Sequence, residues 1–335
     1  MKFIALADLH LSMYAQDKII PESSLPERLH YLNTVLKNVS NYALENDIEN
    51  IVIAGDILHN KSIIHSLAQS IFLDYIRLYN KDLYFIIIDG NHDMSSKSGT
   101  GVSALKSLDN EPNVNMIHNP TVINNISFIP WNPETMVDDI KNSKEDYLVA
   151  HFGLNEAQLS SGISIVSDVR LKDLIKFKHC ILGHYHLPQS VGNVTYVGSP
   201  IQLDWGEKGE EKRFLIVDTD SNEIKSVPTI GYKKFIEYKI TNENKEDIIK
   251  EARKAKENGD YVQLVKHEDI DVDDINEEFK IVDKTERDIT DRGITISMTQ
   301  DERIDKYLKI KKIKEEDFER YKKVAIDIMN SCEGD

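Results

Sequence analysis

Several apolar runs in this chain end abruptly in aspartate, asparagine or histidine. The clearest begins at Leu83 and closes with the turn Gly90-Asn91-His92-Asp93. A solid run of β-branched and aromatic residues predicts a strand that is buried on both faces. Folding alone gives no reason to place three polar side chains, one of them an imidazole, on a tight turn at the end of such a strand. This turn is therefore a candidate functional site.

The first third of the chain alternates between strand and helix patterns. Strands are predicted at Phe3–Ala7 and Ile51–Ala54, before the Leu83 strand, with helices over residues 27–46 and 63–79 between them. Ser24-Leu25-Pro26-Glu27 matches a capping box, so Ser24 is the expected N-cap of the first helix. The alternation predicts a layered α/β domain with right-handed crossovers.

The middle of the chain has a stronger β pattern. Asn124-Asn125 is typical of a hairpin turn, and buried strands are predicted at Tyr147–Ala150 and His179–Leu182. The composition changes after about Gly231, where charged helices and shorter strands begin. The last predicted strand is Ile294–Met298, and Thr299-Gln300-Asp301-Glu302 predicts the cap of a C-terminal helix.

The residues that close the predicted strands are of types that bind metal ions. Open α/β sheets bind ligands at the carboxyl ends of their strands, where these side chains fall. Oxygen and imidazole ligands without thiolate suit Mn²⁺, Mg²⁺, Fe²⁺ or Zn²⁺. The seven candidates are Asp8, His10, Asp56, Asn91, His151, His184 and His186.

Seven ligands exceed the needs of one ion and predict two ions that share a carboxylate. Two ions about 4 Å apart generate a hydroxide nucleophile at neutral pH and stabilise both oxygens of a phosphoester displacement. A single histidine at a strand end is more often structural, but five such groups in one chain favour a metal site. Six of the eleven histidines lie in these strand-end turns: His10, His59, His92, His151, His184 and His186. The other five are expected to be surface or packing residues: His30, His65, His118, His179 and His267.

Composition limits the partners. The net charge of -16 makes the chain a poor general binder of nucleic acid, because neutralisation of phosphates drives that binding. Either the ligand is not a polyanion, or metal ions and a partner supply positive charge. The chain has no apolar run of membrane-spanning length, and its two cysteines form no disulfide framework, which indicates a reducing cytoplasm.

The motif series identifies a family resemblance. Asp8-Leu9-His10, Gly55-Asp56-Ile57-Leu58-His59, Gly90-Asn91-His92-Asp93, His151 and Gly183-His184-Tyr185-His186 resemble the motifs of the calcineurin-like metallophosphoesterases. The resemblance spans about residues 1 to 220. It implies a two-sheet β-sandwich flanked by helices, with a two-metal site.

Within that superfamily the chain is similar to the SbcD-type DNA nuclease subunits, which include phage recombination endonuclease small subunits and the eukaryotic meiotic-recombination nuclease. His59, Pro130-Trp131 and Tyr196-Val197-Gly198-Ser199-Pro200 carry this likeness. It implies a nuclease domain over 1–231, a small α+β DNA-capping domain over 232–299 and C-terminal helices over 300–335 that dock on an SbcC-type ATPase.

The resemblance also implies individual roles. One ion would be bound by Asp8, His10, Asp56 and His186, and the other by Asp56, Asn91, His151 and His184. The ions would be Mn²⁺, with Mg²⁺ as the alternative. His92 would contact the scissile phosphate and assist the leaving oxygen, His59 would help to seat DNA, and Asp93 would orient His92 or its turn.

These implications combine into one predicted function. The chain is expected to be a metal-dependent DNA nuclease, acting as an exonuclease on DNA ends and an endonuclease on single strands. It would be the nuclease subunit of an SbcCD-type repair and recombination complex, dimerising through helices such as 27–46. It would work in the cytoplasm of a bacterium or of a phage-infected cell.

Two further points stay open at this level. The predicted ATPase-docking surface is the apolar stripe Phe318, Tyr321, Val324 and Ile328, although the same stripe could pack on the chain's own capping domain. The alternative functions are a phosphatase or phosphodiesterase acting on a small molecule or protein, and a non-catalytic scaffold for the ATPase. Intact ligands at every position argue against the scaffold.

Overall fold

The structure is a computed structural model that describes residues 1–13, 17–60, 65–96, 101–163, 166–285, 298–311 and 313–332. At residues 300, 315, 316 and 327–332 it describes the backbone alone. The predicted strand Ile294–Met298 falls almost entirely outside the described residues. In the described part of the chain, no helix is both long enough and apolar enough to cross a membrane.

The secondary structure is mixed. The strands are β1 Lys2–Leu6, β2 Ile19–Ile20, β3 Leu25–Pro26, β4 Asn50–Ala54, β5 Tyr84–Ile88, β6 Val114–Ile117, β7 Thr121–Ile123, β8 Ile126–Ile129, β9 Tyr147–His151, β10 His179–Gly183, β11 Gln189–Val191, β12 Val194–Tyr196, β13 Arg213–Asp218, β14 Glu223–Pro228, β15 Phe235–Ile240, β16 Tyr261–Lys266 and β17 Lys280–Asp283. The α-helices are α1 Glu27–Glu45, α2 Ser66–Tyr79, α3 Met136–Asn142, α4 Leu171–Leu174, α5 Lys245–Glu257, α6 Gln300–Ile310 and α7 Glu315–Cys332.

The chain divides into two compact units. The first comprises Met1–Glu237 and Lys254–Val262, and the second comprises Tyr238–Arg253 and Gln263–Asp335. The second unit contains most of the small sheet β15-β16-β17 and the helices α6 and α7. Thr299 caps α6 as predicted, because its side chain accepts from the Glu302 N–H and the Glu302 carboxylate accepts from the Thr299 N–H.

Two six-stranded sheets form the first unit, in the orders β14-β13-β1-β4-β5-β6 and β11-β12-β10-β9-β8-β7. The strands β1, β4 and β5 are parallel neighbours, as are β9 and β10. Parallel pairing places the carboxyl ends of these strands at one edge of each sheet. The predicted hairpin at Asn124-Asn125 joins β7 to β8.

Apolar packing joins the sheets and helices into four layers. Side chains such as Val52 and Ile86 of the first sheet and Phe128 and Val149 of the second form one buried cluster between the sheets. The opposite face of the first sheet packs on α1 and α2, and that of the second sheet packs on α3 and α4. The expectation of a two-sheet sandwich flanked by helices is confirmed.

The first helix begins at residue 27 as predicted, but the predicted cap at Ser24 was wrong. Helix α1 begins at Glu27 with Pro26 as its N-cap, and no side chain caps it. Leu25–Pro26 instead pairs with Ile19–Ile20 as a short hairpin, and the Ser24 N–H donates to the Ile20 carbonyl. Ser24 is therefore part of the hairpin turn, where it cannot reach the first turn of the helix.

Candidate metal centre

Two turns of the first sheet are joined at its carboxyl edge by backbone hydrogen bonds. The Asp8 N–H donates to the Gly55 carbonyl at 3.0 Å, and the His10 N–H donates to the Asp56 carbonyl at 3.0 Å. The residues after β1 and β4 are thus fixed to each other independently of any ligand. Asn91 lies one parallel strand further along, after β5.

Strained backbone marks the same turns. Asp8, His10 and Asp56 have φ values of 53°, 47° and 54°, in the left-handed region that residues other than glycine seldom occupy. Such conformations cost about 1–3 kcal/mol each and persist where the surrounding structure enforces them, often at functional sites. Here the enforcement comes from the buried parallel strands.

The first ligand group consists of Asp8, His10 and His186, whose ligand atoms lie within 4.8 Å of one another. The Nε2 atoms of His10 and His186 are 2.9 Å apart. The His186 Nδ1–H donates to Glu207 Oε1 at 2.8 Å. This hydrogen bond leaves the Nε2 lone pair of His186 directed at the centre of the group.

The second group consists of Asp56, His151 and His184, again within 4.8 Å. Asn91 Oδ1 lies 3.0 Å from His151 Nε2 and 2.9 Å from His184 Nδ1. The His151 Nδ1–H donates to the carbonyl of Ala54 at 2.8 Å, so His151 Nε2 faces Asn91 and Asp56. The amide oxygen of Asn91 therefore lies between two imidazoles.

The two carboxylate oxygens of Asp56 point in different directions. Oδ2 is 3.3 Å from His151 Nε2 and 3.6 Å from His10 Nε2, so it lies between the two groups. Oδ1 accepts the His92 N–H at 2.7 Å, which fixes the rotation of the carboxylate. Asp56 Oδ2 therefore lies within 3.6 Å of an imidazole nitrogen from each group.

Burial and the charges of neighbouring side chains shift the pKa values in both groups. It raises the pKa of Asp8 to about 6, against the opposing effect of His151, and it lowers the pKa of His184 to about 3. Burial alone would lower the pKa of His151, but the carboxylate of Asp56 raises it to about 9. Burial also opposes ionisation of Asp56, yet His151 holds the pKa of that carboxyl below its usual range.

These features suit divalent cations. The side chains of Asp8, His10, Asp56 and His151 are buried, and the ion-pair partners of Asp56 in the described part of the chain are histidines. Buried carboxylates are stable when a cation compensates them. Imidazole nitrogens that point at one another are arranged as ligands of such a cation, which they bind once they are deprotonated. The donor set therefore fits divalent metal.

The other predicted site residues surround the ligands. The His92 Nδ1 contacts the carbonyl of His59, and the rings of His59 and His92 stack with centroids 5.8 Å apart. The His10 ring lies 4.9 Å from the His92 ring. His92 and His59 are half-buried, so both histidines lie at the mouth of the centre, where a substrate can reach them.

Asp93 contacts backbone. Its carboxylate accepts the Gly90 N–H at 2.9 Å and the Leu58 N–H at 2.9 Å. Asp93 thereby ties the turn after β5 to the turn after β4. Of the two predicted roles, the hydrogen bonds support the one in which Asp93 holds the turn.

Two supporting residues had no signal in the sequence. Glu207, the partner of His186, also accepts from the Leu203 N–H at 2.9 Å and pairs with Lys212 Nζ at 2.8 Å. Lys212 is 1% exposed and donates to the His186 carbonyl at 2.9 Å. Both lie in a charged segment that resembles a solvated loop.

His118 also has a larger role than expected. Its Nδ1 pairs with Asp89 Oδ2 at 2.5 Å and its Nε2 with Asp109 Oδ1 at 2.9 Å. Asp89 directly precedes Gly90 and accepts the Ser103 hydroxyl at 2.6 Å. His118 was predicted to be a surface or packing residue, yet it supports the residue that starts the Asn91 turn.

Known proteins with similar sequences include an exonuclease subunit, a nuclease subunit and a DNA repair protein. Exonuclease subunit 1 of Enterobacteria phage T4 is 27% identical over 239 residues, which cover 68% of each chain. The SbcD subunit of the nuclease SbcCD from Staphylococcus epidermidis is 25% identical over 300 residues, covering 78% of this chain and 77% of that one. The DNA double-strand break repair protein Mre11 of Archaeoglobus fulgidus is 21% identical over 244 residues, covering 64% of this chain and 53% of that one.

A family match accompanies these relatives. Residues 1–188, more than half of the chain, match the calcineurin-like phosphoesterases. The matched range includes the turns after β1, β4, β5, β9 and β10, and therefore all seven predicted ligands. The fold, the buried carboxylate and histidine groups and this match lead to one conclusion: the chain belongs to the calcineurin-like phosphoesterase family and is an enzyme that uses divalent metal.

Proposed function

We propose that this chain is a metal-dependent DNA nuclease that cleaves DNA ends and single strands as the nuclease subunit of an SbcCD-type complex. The observation that carries the proposal is Asp56, whose Oδ2 lies between two buried ligand groups. That arrangement is suited to a pair of ions acting on a phosphodiester. The choice of DNA rests on the two nuclease relatives together with the DNA double-strand break repair protein Mre11.

Separate side chains would bind the metal ions, donate a proton and position the DNA strand. Two divalent ions, which we propose to be Mn²⁺, would supply an activated water and would neutralise charge on the phosphate when bound. The residues that would hold them are Asp8, His10, Asn91, His151, His184 and His186, with Asp56 in common. His92 would donate a proton to the leaving oxygen; the contact of its ring with the His10 ring and its partial exposure support this role. His59 stacks on His92 and would seat the DNA strand beside it.

A substrate panel tests this function. The purified chain would be assayed with Mn²⁺ on linear duplex DNA, circular single-stranded DNA, bis(p-nitrophenyl) phosphate and p-nitrophenyl phosphate. We expect metal-dependent cleavage of DNA and of the diester, with little activity on the monoester. Activity on the monoester without DNA cleavage would show a phosphatase, and bound metal with no hydrolysis of any substrate would show a scaffold.

The proposed role of His92 has its own test. His92→Ser should abolish DNA cleavage while the variant keeps its bound metal, because His92 donates no side-chain ligand in the proposed assignment. The matched control is His267→Ser, at an exposed histidine. Unchanged cleavage by His92→Ser would contradict the assignment.

The C-terminal helix is the proposed attachment point of the ATPase. We propose residues 1–231 as nuclease domain, 232–299 as capping domain and 300–335 as docking helices. On α7, Tyr321 is 47% and Val324 is 48% exposed, whereas Phe318 is half-buried. Exposed apolar side chains at helical spacing are suited to helix docking. The side chain of Ile328 lies outside the described residues.

Truncation separates docking from internal packing. Removal of the residues after Thr299 should abolish a stable complex with an SbcC-type ATPase while metal-dependent cleavage of bis(p-nitrophenyl) phosphate remains. If the stripe instead packs on its own unit, Tyr321→Asp would lower the melting temperature and leave the complex intact. The proposed dimer, formed through surfaces such as α1, would be measured by light scattering on the same samples.

A further inference from the structure

A cavity of about 650 Å³ adjoins the metal centre within the first unit. His59 and His186 form part of its wall, so the cavity opens directly beside the ligand groups. Its other walls come from α1, from the segment around Trp205 and from the first residues of β15 and β16. Its volume falls within the range of small-molecule sites, about 300–1,000 Å³.

The lining is aromatic. Tyr31, Trp205, Phe235 and Tyr261 contribute to the wall, and each is half-buried. The rings of Phe235 and Tyr261 stack with centroids 4.8 Å apart and planes 19° from parallel. The Trp205 ring meets Phe235 edge-on at 5.0 Å. The rings of Trp205, Phe235 and Tyr261 thus hold one another in place, so this part of the wall is formed before any ligand arrives.

The charges around the cavity balance. Three cationic side chains, Lys18, Arg28 and Lys233, and three anionic ones, Asp17, Glu27 and Asp204, line it. Lys233 Nζ pairs with Glu27 Oε1 at 2.6 Å and lies 5.5 Å from the centre of the Tyr31 ring. A wall with no excess of positive charge is poorly suited to a phosphate. It is well suited to a flat, neutral group with polar edges.

We propose that this cavity receives the unpaired base of the nucleotide next to the scissile phosphate. The proposal rests on the proposed nuclease function and names its substrate more closely, as a single strand whose base can swing out. A phosphate held at the metal centre would place the base of an adjoining nucleotide within reach of the cavity, because His59 and His186 border both. Bases stack on aromatic side chains whatever their sequence.

The pocket would also allow a negatively charged chain to bind DNA. A chain of net charge -16 gains little from general phosphate contacts. Stacking on aromatic residues contributes about 1–3 kcal/mol per base and does not depend on positive charge. A base in a duplex is held by its pair and its neighbours, so the pocket would select ends and single strands.

Ring removal combined with base removal tests the inference. The substrate is a single-stranded oligonucleotide with one cleavable phosphodiester, with an abasic nucleotide placed in turn on either side of that bond. Trp205→Leu and Tyr261→Leu, which lie on separate elements, are each expected to raise KM for the intact strand about 10-fold. For the wild type, KM should rise by the same factor on one of the two abasic strands. On that strand, neither variant should have a higher KM than the wild type.

The controls keep the outcome interpretable. Tyr84→Leu removes an exposed aromatic residue on β5 and should leave KM unchanged, and metal content and melting temperature verify the fold of each variant. Additive effects of ring removal and base removal, or no effect of either, would overturn the inference. If the wild type hydrolyses neither DNA nor bis(p-nitrophenyl) phosphate with Mn²⁺, the proposed function itself fails.

Discussion

The two ligand groups are oriented by different means. In the second group, His151 donates to the carbonyl of Ala54, a backbone atom of the central strand β4. In the first group, His186 donates to the side chain of Glu207, which Lys212 holds from a charged loop. One imidazole is therefore oriented by the sheet itself, and the other by a buried ion pair that single substitutions can remove.

The buried Glu207–Lys212 ion pair orients His186 only while both charges are present. Burial opposes ionisation of Glu207, but the hydrogen bond from His186 and the charge of Lys212 lower the pKa of that carboxyl to about 2. Removing one member of a buried pair leaves the other charge uncompensated, at a cost of about 3–5 kcal/mol. The first group should therefore be the more sensitive to mutation outside its own ligands.

The largest effect is expected where the two groups meet. Asp56→Asn removes the carboxylate that faces both groups, so both ions should bind more weakly. DNA cleavage should fall by more than about 100-fold, because loss of a residue that only supports a ligand costs about 10–100-fold. Metal content and cleavage rate would be measured together. The control is Asp138→Asn, at an exposed position on α3. Loss of one metal equivalent alone would show that Asp56 serves a single group.

Glu207→Gln should weaken metal binding by the first ligand group and not by the second. The amide has no charge and only one acceptor oxygen, so it cannot accept from His186 and Lys212 through separate oxygens as the carboxylate does. Affinity for one metal equivalent should therefore fall about 10–100-fold while the other is retained. Metal titration by calorimetry would resolve the two equivalents. A matched control is Glu210→Gln, which also contacts Lys212 but not His186. Equal weakening of both equivalents would remove the distinction between the two supports.

Gly90→Ala probes the support given by close packing. A Cβ at Gly90 would lie 2.2 Å from the Asp56 nitrogen and 2.3 Å from its Oδ1, so the turns after β4 and β5 must separate. We expect a loss of about 1–3 kcal/mol in the free energy of unfolding, measured by urea denaturation, together with weaker metal binding. Gly162→Ala is the comparison for metal binding, because no atom lies within 4 Å of its Cβ position, although its φ of 80° means that the substitution also costs some stability. It should bind metal normally.

The smallest effect concerns pH. The hydrogen bond to Asp89 raises the pKa of His118 from 6.5 to about 9, so the folded chain holds this proton more tightly than the unfolded chain. The stabilisation is complete below about pH 6.5 and is lost as pH rises through about 9. Because His118 is partly exposed, we expect about 1 kcal/mol.

The His118 effect is measured as the difference in urea midpoint between wild type and His118→Gln. This difference should be present near pH 6 and should shrink by about pH 10. His267→Gln, at an exposed histidine, provides the control. A difference that stays constant with pH would show that His118 acts by packing alone.

The sequence by itself determined the sheet strands and the residues that end them. Apolar runs form buried strands, and the side chain that follows such a strand must lie at its carboxyl end, so both features are local in the chain. The two-sheet sandwich, predicted through family resemblance, is confirmed. The seven candidate ligand positions could be chosen in the same local way, and their metal binding stays a prediction. The capping box at Thr299 is equally local and was also confirmed.

Tertiary structure decided what surrounds the ligands. Ser24 fitted a helix cap by sequence, but pairing between β2 and β3 placed it in a turn. Glu207 and Lys212 meet His186 only after the chain returns from β12, and His118 meets Asp89 across 29 residues. The aromatic cavity likewise gathers α1, Trp205 and the starts of β15 and β16. Contacts between distant segments leave no periodic pattern in the sequence, whereas a strand and its closing residue do.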